Sequence, residues 1–246
     1  MFRITSTTVL AATLLAGPVL ADATVTIGIE GYDDFFKRCK IDVQAEAGAG
    51  VDEMSVLYRV LAKGVGGEMC EKFSNGTGCR GSDDFKPKCE QITSVDVLHA
   101  KCTDANGAVI PCGAVKAKAG AGMSVPVGTK PAPSSLDGTL LFASLLGGPD
   151  YSNRCSVGML YTAPEAVRQV KVNYEMLVNG GAAECSLNMG GPYGTGRSCH
   201  GADDFTCDAV KSVKITSVKC ETDEDETDCG PVTIHGTEPD VFVDAR

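Results

Sequence analysis

The twelve cysteines of this 246-residue chain fall into two sets of six. Aligning Cys199-His200-Gly201-Ala202-Asp203-Asp204-Phe205 with Cys79-Arg80-Gly81-Ser82-Asp83-Asp84-Phe85 sets the register. Cys39, Cys70, Cys79, Cys89, Cys102 and Cys112 then match Cys155, Cys185, Cys199, Cys207, Cys220 and Cys229. A chain with that register is read as two copies of one cross-linked module. Zinc fingers and ribbons use close Cys-x-x-Cys pairs, and neither set contains one. No histidine recurs between the copies either: His99 faces Ser217, His200 faces Arg80 and His235 faces Lys118. The cysteines are therefore expected to form disulfides.

Disulfides persist in oxidising compartments, and the N-terminus supplies the route to one. Met1-Phe2-Arg3 is basic, Thr8 to Gly17 is apolar, and Val19-Leu20-Ala21 has the form a signal peptidase reads. Residues 1–21 are expected to be a secretory signal peptide. The apolar run is shorter than the ~20 residues of a spanning helix, so no membrane span is expected in the mature chain. The expected location is secreted or periplasmic. Without Arg3 the charge is 21 basic against 32 acidic groups, or −11. Such a chain has no counterion-release drive toward nucleic acid and is repelled by anionic membranes.

Alternation of apolar residues marks strands with one buried face. Val25, Ile27 and Ile29 are answered by Leu141, Ala143 and Leu145; Cys39, Ile41, Val43 and Ala45 by Cys155, Val157, Met159 and Tyr161. The longest set is Met54, Val56, Tyr58, Val60 and Ala62, answered by Val170, Val172, Tyr174, Met176 and Val178. The opposite face of that strand carries Ser55, Leu57, Arg59 and Leu61 in the first copy and Lys171, Asn173, Glu175 and Leu177 in the second. Val95 and Val97 fall out of phase with Ala100 and Cys102, as Val213 and Ile215 do with Val218 and Cys220. A slip at the same place twice predicts a β-bulge or a strand that bends across sheets. Asn106-Gly107 marks a hairpin tip, and Val115, Ala117 and Val232, Ile234 mark a last short strand. The expected fold is all-β: two tandem disulfide-rich β-sandwich domains of immunoglobulin or fibronectin type, over residues 22–119 and 138–246. The Pro-bearing stretch 120–137 reads as a semi-extended linker.

Loop geometry suggests a connectivity, one of 15 for each set. Cys102–Cys112 and Cys220–Cys229 would close hairpin tips. Cys70–Cys79 and Cys185–Cys199 would bracket glycine loops. Cys39–Cys89 and Cys155–Cys207 remain as long-range staples.

Two acidic features could carry chemistry. Gly-x-Asp-Asp-Phe occurs at Gly31 to Phe35, Gly81 to Phe85 and Gly201 to Phe205; it reads first as a capping turn with a core plug, and otherwise as a calcium turn. Glu221 to Asp228 carries six acids in eight residues at a hairpin tip. Asp223, Asp225 and Asp228 there are the candidate cation ligands, with calcium the ion such oxygens take; otherwise no cofactor is expected. The tip also reads as solvated surface. Nucleophile elbow, zincin and phosphate-loop motifs are missing, and no enzyme is expected. The function expected is an exported, non-catalytic binding, adhesion or surface-structural protein with a protein or cell-surface partner. The alternatives are a secreted inhibitor or effector that inserts a rigid loop into a partner, and an unrecognised secreted hydrolase using His200.

Overall fold

A computed structural model describes residues 22–32, 39–63, 66–73, 76–81, 87–129, 138–147, 155–164, 166–178, 181–190, 195–197, 206–236 and 242–244. The signal-peptide segment, Cys199, His200 and every carboxylate of the Gly-x-Asp-Asp-Phe motifs lie outside the described residues.

The protein is all-β. In the first half, β1 is Ala23–Tyr32, β2 Cys39–Glu46, β3 Glu53–Ala62, β4 Gly66–Phe73, β5 Gly76–Gly81, β6 Ile92–Thr103, β7 Val109–Ile110, β8 Val115–Ala119 and β9 Val127–Thr129. In the second, β10 is Thr139–Gly147, β11 Cys155–Thr162, β12 Gln169–Val178, β13 Gly181–Gly190, β14 Thr195–Arg197, β15 Val210–Glu221, β16 Glu226–Thr227, β17 Val232–Gly236 and β18 Phe242–Asp244. They build four sheets. Sheet A has the order β2-β1-β8, and sheet B the order β5-β4-β3-β6-β7 with β9 on β6. Sheet C has the order β14-β11-β10-β17, and sheet D the order β13-β12-β15-β16 with β18 on β15.

The alternating residues decide which faces close. Val25, Ile27 and Val43 from sheet A meet Val56, Tyr58, Val60, Val95 and Val97 from sheet B in one buried cluster. Leu141, Val157, Met159 and Tyr161 from sheet C meet Val170, Val172, Tyr174, Met176, Val213 and Ile215 from sheet D in a second. The phase slips are bulges. Leu57 pairs with His99 and Tyr58 with Val97, so Leu98 is the extra residue; Asn173 pairs with Ser217 and Tyr174 with Ile215, which singles out Thr216. Disulfides join Cys39–Cys89, Cys102–Cys112, Cys155–Cys207 and Cys220–Cys229. Cys70 and Cys185 are disulfide-bonded as well, and the ladder sets Cys79 directly opposite Cys70.

The strand order differs from that of an immunoglobulin domain, which divides its strands as ABED and CFG. Here the β1–β2 hairpin leaves an edge of β1 to β8, which joins it in parallel. Strands β3, β4 and β6 all go to the opposing sheet. The stretch 120–137, read from sequence as a linker, is structured over its first ten residues. Gly120 N–H donates to Ile27 O, Ile29 N–H donates to Ala121 O, and Val127 pairs with Val95 and packs on the first cluster.

A third buried cluster joins the halves. Leu57, Met69 and Leu98 from sheet B pack on Leu140, Phe142, Leu146 and Leu160 from sheet C. The sheets thus stack in the order A, B, C, D. In the cysteine register the seven cluster residues correspond to Asn173, Glu184, Thr216, Thr24, Thr26, Glu30 and Gln44, which are half-buried or exposed on the outer faces of sheets D and A. The contact therefore closes on itself. A stack with apolar outer faces would add further copies, as heterologous contacts do when rotation does not close them.

Leu146 seats between two glycines. A Cβ on Gly158 would overlap Leu146 Cδ1 and lie 3.0 Å from Met69 Sδ; a Cβ on Gly67 would lie 2.8 Å from Leu146 Cδ2. Gly158→Ala is expected to lower stability by about 1–3 kcal/mol, the usual cost of overpacking. Gly190→Ala, where a Cβ meets nothing within 4 Å, is expected to stay within about 0.5 kcal/mol. Urea unfolding of the two variants checks this; equal midpoints would remove the close approach from the account.

Candidate functional site

Three buried polar side chains, Arg59, His99 and Ser144, gather at the contact between sheets B and C. Arg59 stands on the second face of β3, and β10 covers it. Its guanidinium is 6% exposed, with Nη2 2.8 Å from Asp96 Oδ2. Nη1 donates across the contact to Ser144 Oγ at 2.7 Å. The hydroxyl of Ser144 also reaches Leu145 O at 3.3 Å. An arginine that spends its planar donors on a carboxylate and a hydroxyl fixes the register of one sheet on the other.

Beside it lies a row of three rings. The His99 ring centroid is 5.6 Å from that of Phe142, at an interplanar angle of 31°. Phe142 stacks in turn on His235, its ladder partner on β17, at 5.6 Å and 25°. Nδ1 and Nε2 of His99 and Nε2 of His235 are buried and have no hydrogen-bond partner among the described residues. Burial pushes the His99 imidazole down to about 4, helped by His235 and Lys101. Burial also lowers His235. The His99 ring packs on Phe142 with both nitrogens buried.

Glu71 shares the cross-strand row Glu71–Leu57–His99. Burial pushes its carboxyl up to about 7, with Ser55 and Lys101 pulling the other way and Glu53 adding to the rise. A raised carboxylate contributes fully at low pH and loses that contribution as pH rises through about 7. Glu71→Gln is therefore expected to raise stability above pH ~7 and to leave it unchanged near pH ~4. The gain is about 1 kcal/mol, reduced by the residue's partial exposure. Urea midpoints at the two pH values check it, and a gain at acid pH alone would reverse the sign.

The acidic tip is organised differently from a cation loop. In the first half Asp104 Oδ1 accepts from the backbone N–H groups of Asn106 and Ala108. Those bonds hold its carboxyl below the usual range. In the second half Thr222 takes that place, its Oγ1 accepting from Glu224 and Asp225 N–H. Asp223 faces Arg168 at 3.8 Å, Asp228 accepts from Gly230 N–H, and Glu226 pairs with Lys219. Asp223, Asp225 and Asp228 are not brought together: among the described residues no group of three or more His, Cys, Asp or Glu is arranged to hold a metal ion.

A cleft of about 530 Å³ lies on the outer face of sheet D. Asn173, Glu175, Glu184, Ser186 and Thr216 line it. Glu175 and Glu184 are direct ladder partners. The corresponding first-half residues are Leu57, Arg59, Met69, Glu71 and Leu98, the very face that docks on sheet C.

No family model, curated protein or solved structure matches this chain. What it is rests on its own residues: a disulfide-rich all-β protein, bonded as proteins of oxidising compartments are. Among the described residues no helix is long and apolar enough to cross a membrane.

Proposed function

We propose that this is an exported, non-catalytic binding or surface-structural protein, secreted or periplasmic, built from two copies of one β-sandwich module with a strand order of its own. The observation that carries the reading is the use of one module face in two ways. In the first half that face is apolar and locked onto the second half by Leu57, Met69, Leu98 and Arg59. In the second half it is polar, exposed and hollowed into the sheet D cleft. A stapled, locked pair holds such a face rigid, and a rigid face loses little entropy on binding. The partner is a protein or a cell-surface polymer.

The test is saturable retention of the mature chain on intact cells and exported polymer. It is compared with a Glu175→Lys/Glu184→Lys variant of unchanged unfolding midpoint. Retention by the parent that the variant loses supports the reading. Equal retention by both removes the sheet D face, and stoichiometric protease inhibition would replace the reading with the inhibitor. The reading takes no resident cofactor. Millimolar calcium is expected to leave the unfolding midpoint unchanged, whereas a ligand at ~100 times its dissociation constant adds about 2.7 kcal/mol. A shift lost in Asp223→Asn/Asp225→Asn/Asp228→Asn would assign the tip to cation binding.

A further inference from the structure

We propose that the contact between sheets B and C is an acid-released latch, which opens when His99 and His235 take up protons. The geometry is that of two imidazoles bracketing the central ring of an apolar contact. His99 comes from the first half; Phe142 and His235 come from the second. Three of the four ring nitrogens are buried without a hydrogen-bond partner among the described residues. A neutral imidazole tolerates this, because stacking uses its faces. An imidazolium carries two N–H donors, and a buried charge without acceptors is strongly disfavoured.

Among the described residues no neighbour of His99 is placed to receive its proton. From β6, Lys101 adds positive charge, and on β3 the Arg59 guanidinium is paired. Asp96, also on β6, is engaged by Arg59. From β10 the ring meets Phe142, with the neutral Ser144 two residues along. From β17 it faces His235, a second titrating base. On β4, Glu71 is separated from His99 by Leu57, two strand spacings or roughly 10 Å away. Proton uptake by the His99 ring is thus satisfied in water, with the sheets apart.

The sign follows from the direction of the shifts. Both histidines are depressed, so the closed contact has their full contribution above the ordinary value of 6.5 and loses it as pH falls. For His99, held at about 4, the ratio of open to closed rises on the order of a hundredfold by pH ~4. His235 adds in the same direction. Glu71 opposes them, since protonation relieves its burial. It is one partly buried group against two rings, and it is less buried than His99, so solvent screens it more than that ring. The net result is acid release, and removing Glu71's titration makes that release steeper by closing the contact more firmly near neutral pH.

The experiment follows the full mature chain from about pH 7.5 to about pH 4 by small-angle X-ray scattering, anilinonaphthalenesulfonate fluorescence and far-UV circular dichroism. The expected result is a larger radius of gyration and dye binding to Leu57, Met69, Leu140, Phe142, Leu146 and Leu160, with the dichroism retained because the disulfides hold each half. His99→Phe/His235→Phe is expected to stay closed, and Glu71→Gln to open at no higher pH than the parent and over a narrower range, because the variant is more firmly closed near neutral pH and equal to the parent at pH ~4. A parent that stays closed at pH ~4, a double variant that opens with the parent, or dichroism lost together with compactness would each overturn the latch. Should the double variant not fold, NMR titration of the parent decides: a His99 imidazole titrating near its ordinary value in the compact protein overturns it, and a depressed one that titrates with expansion supports it.

Discussion

Asp96→Ala is expected to destabilise the protein by about 3 kcal/mol, the low end of the cost of breaking a buried ion pair from one side. The carboxylate removed is 15% exposed, and the guanidinium left behind only 6%. Ser144 Oγ would remain on Nη1, but a neutral hydroxyl does not balance a charge out of water. Changing Arg59 to Met in the same chain should recover most of the loss, because an apolar replacement of a whole pair is often neutral or stabilising. Ser144 would keep its bond to Leu145 O. Urea unfolding of Asp96→Ala and of Arg59→Met/Asp96→Ala tests both statements. A single variant within about 0.5 kcal/mol of the parent, the range of ordinary surface changes, would show that the pair is wetter than its burial implies. A double variant no better than the single would show that Arg59 acts through its stem and not its charge.

The same arginine shows how far the sequence could be read. Alternation along Met54 to Ala62 and Val170 to Val178 is a property of the residues themselves, and it placed the inner faces of β3 and β12. The phase slip placed the bulges at Leu98 and Thr216. The contact between the halves was also written in the chain, in a different form. Leu140-Leu141-Phe142-Ala143 is apolar on both faces, the mark of a strand buried on both sides, and all four residues are buried. Its first-half counterpart alternates Thr24 and Thr26 with Val25 and Ile27, the mark of a strand buried on one side. Leu57 and Leu61 against Asn173 and Leu177 carry a weaker form of the signal. A pattern of this kind says that a face is covered and not what covers it, so sheet C as the cover of sheet B needed the fold. The acidic tip is a different case. Composition counts carboxylates, whereas cation binding needs them to converge, and Thr222 shapes the turn so that Asp223 and Asp228 take separate partners. Strand β9 was hidden because Pro126 and the prolines beyond it read as linker, while a three-residue strand has too few residues to alternate.

Loss of a long-range staple should exceed loss of a hairpin-tip bridge. Cys155–Cys207 closes a span of 52 residues and Cys220–Cys229 a span of 9. The chain-entropy relation gives about 4 kcal/mol for the first and about 2.5 kcal/mol for the second. Cavity terms do not reverse the order, since Cys155, Cys220 and Cys229 are all buried and Cys207 is half-buried. Location adds to it. Cys155 begins β11 in sheet C, and Cys207 lies in the turn that leads into β15 of sheet D, so this bridge ties together the two sheets that enclose the second cluster. Cys220–Cys229 ties β15 only to the turn at its own end. Cys155→Ala/Cys207→Ala should therefore unfold at lower urea than Cys220→Ala/Cys229→Ala under non-reducing conditions, with a difference of about 1.5 kcal/mol by the same relation. The reverse order would mean that the hairpin tip, and with it the Thr222 turn, carries more of the fold's stability than the tie between its sheets.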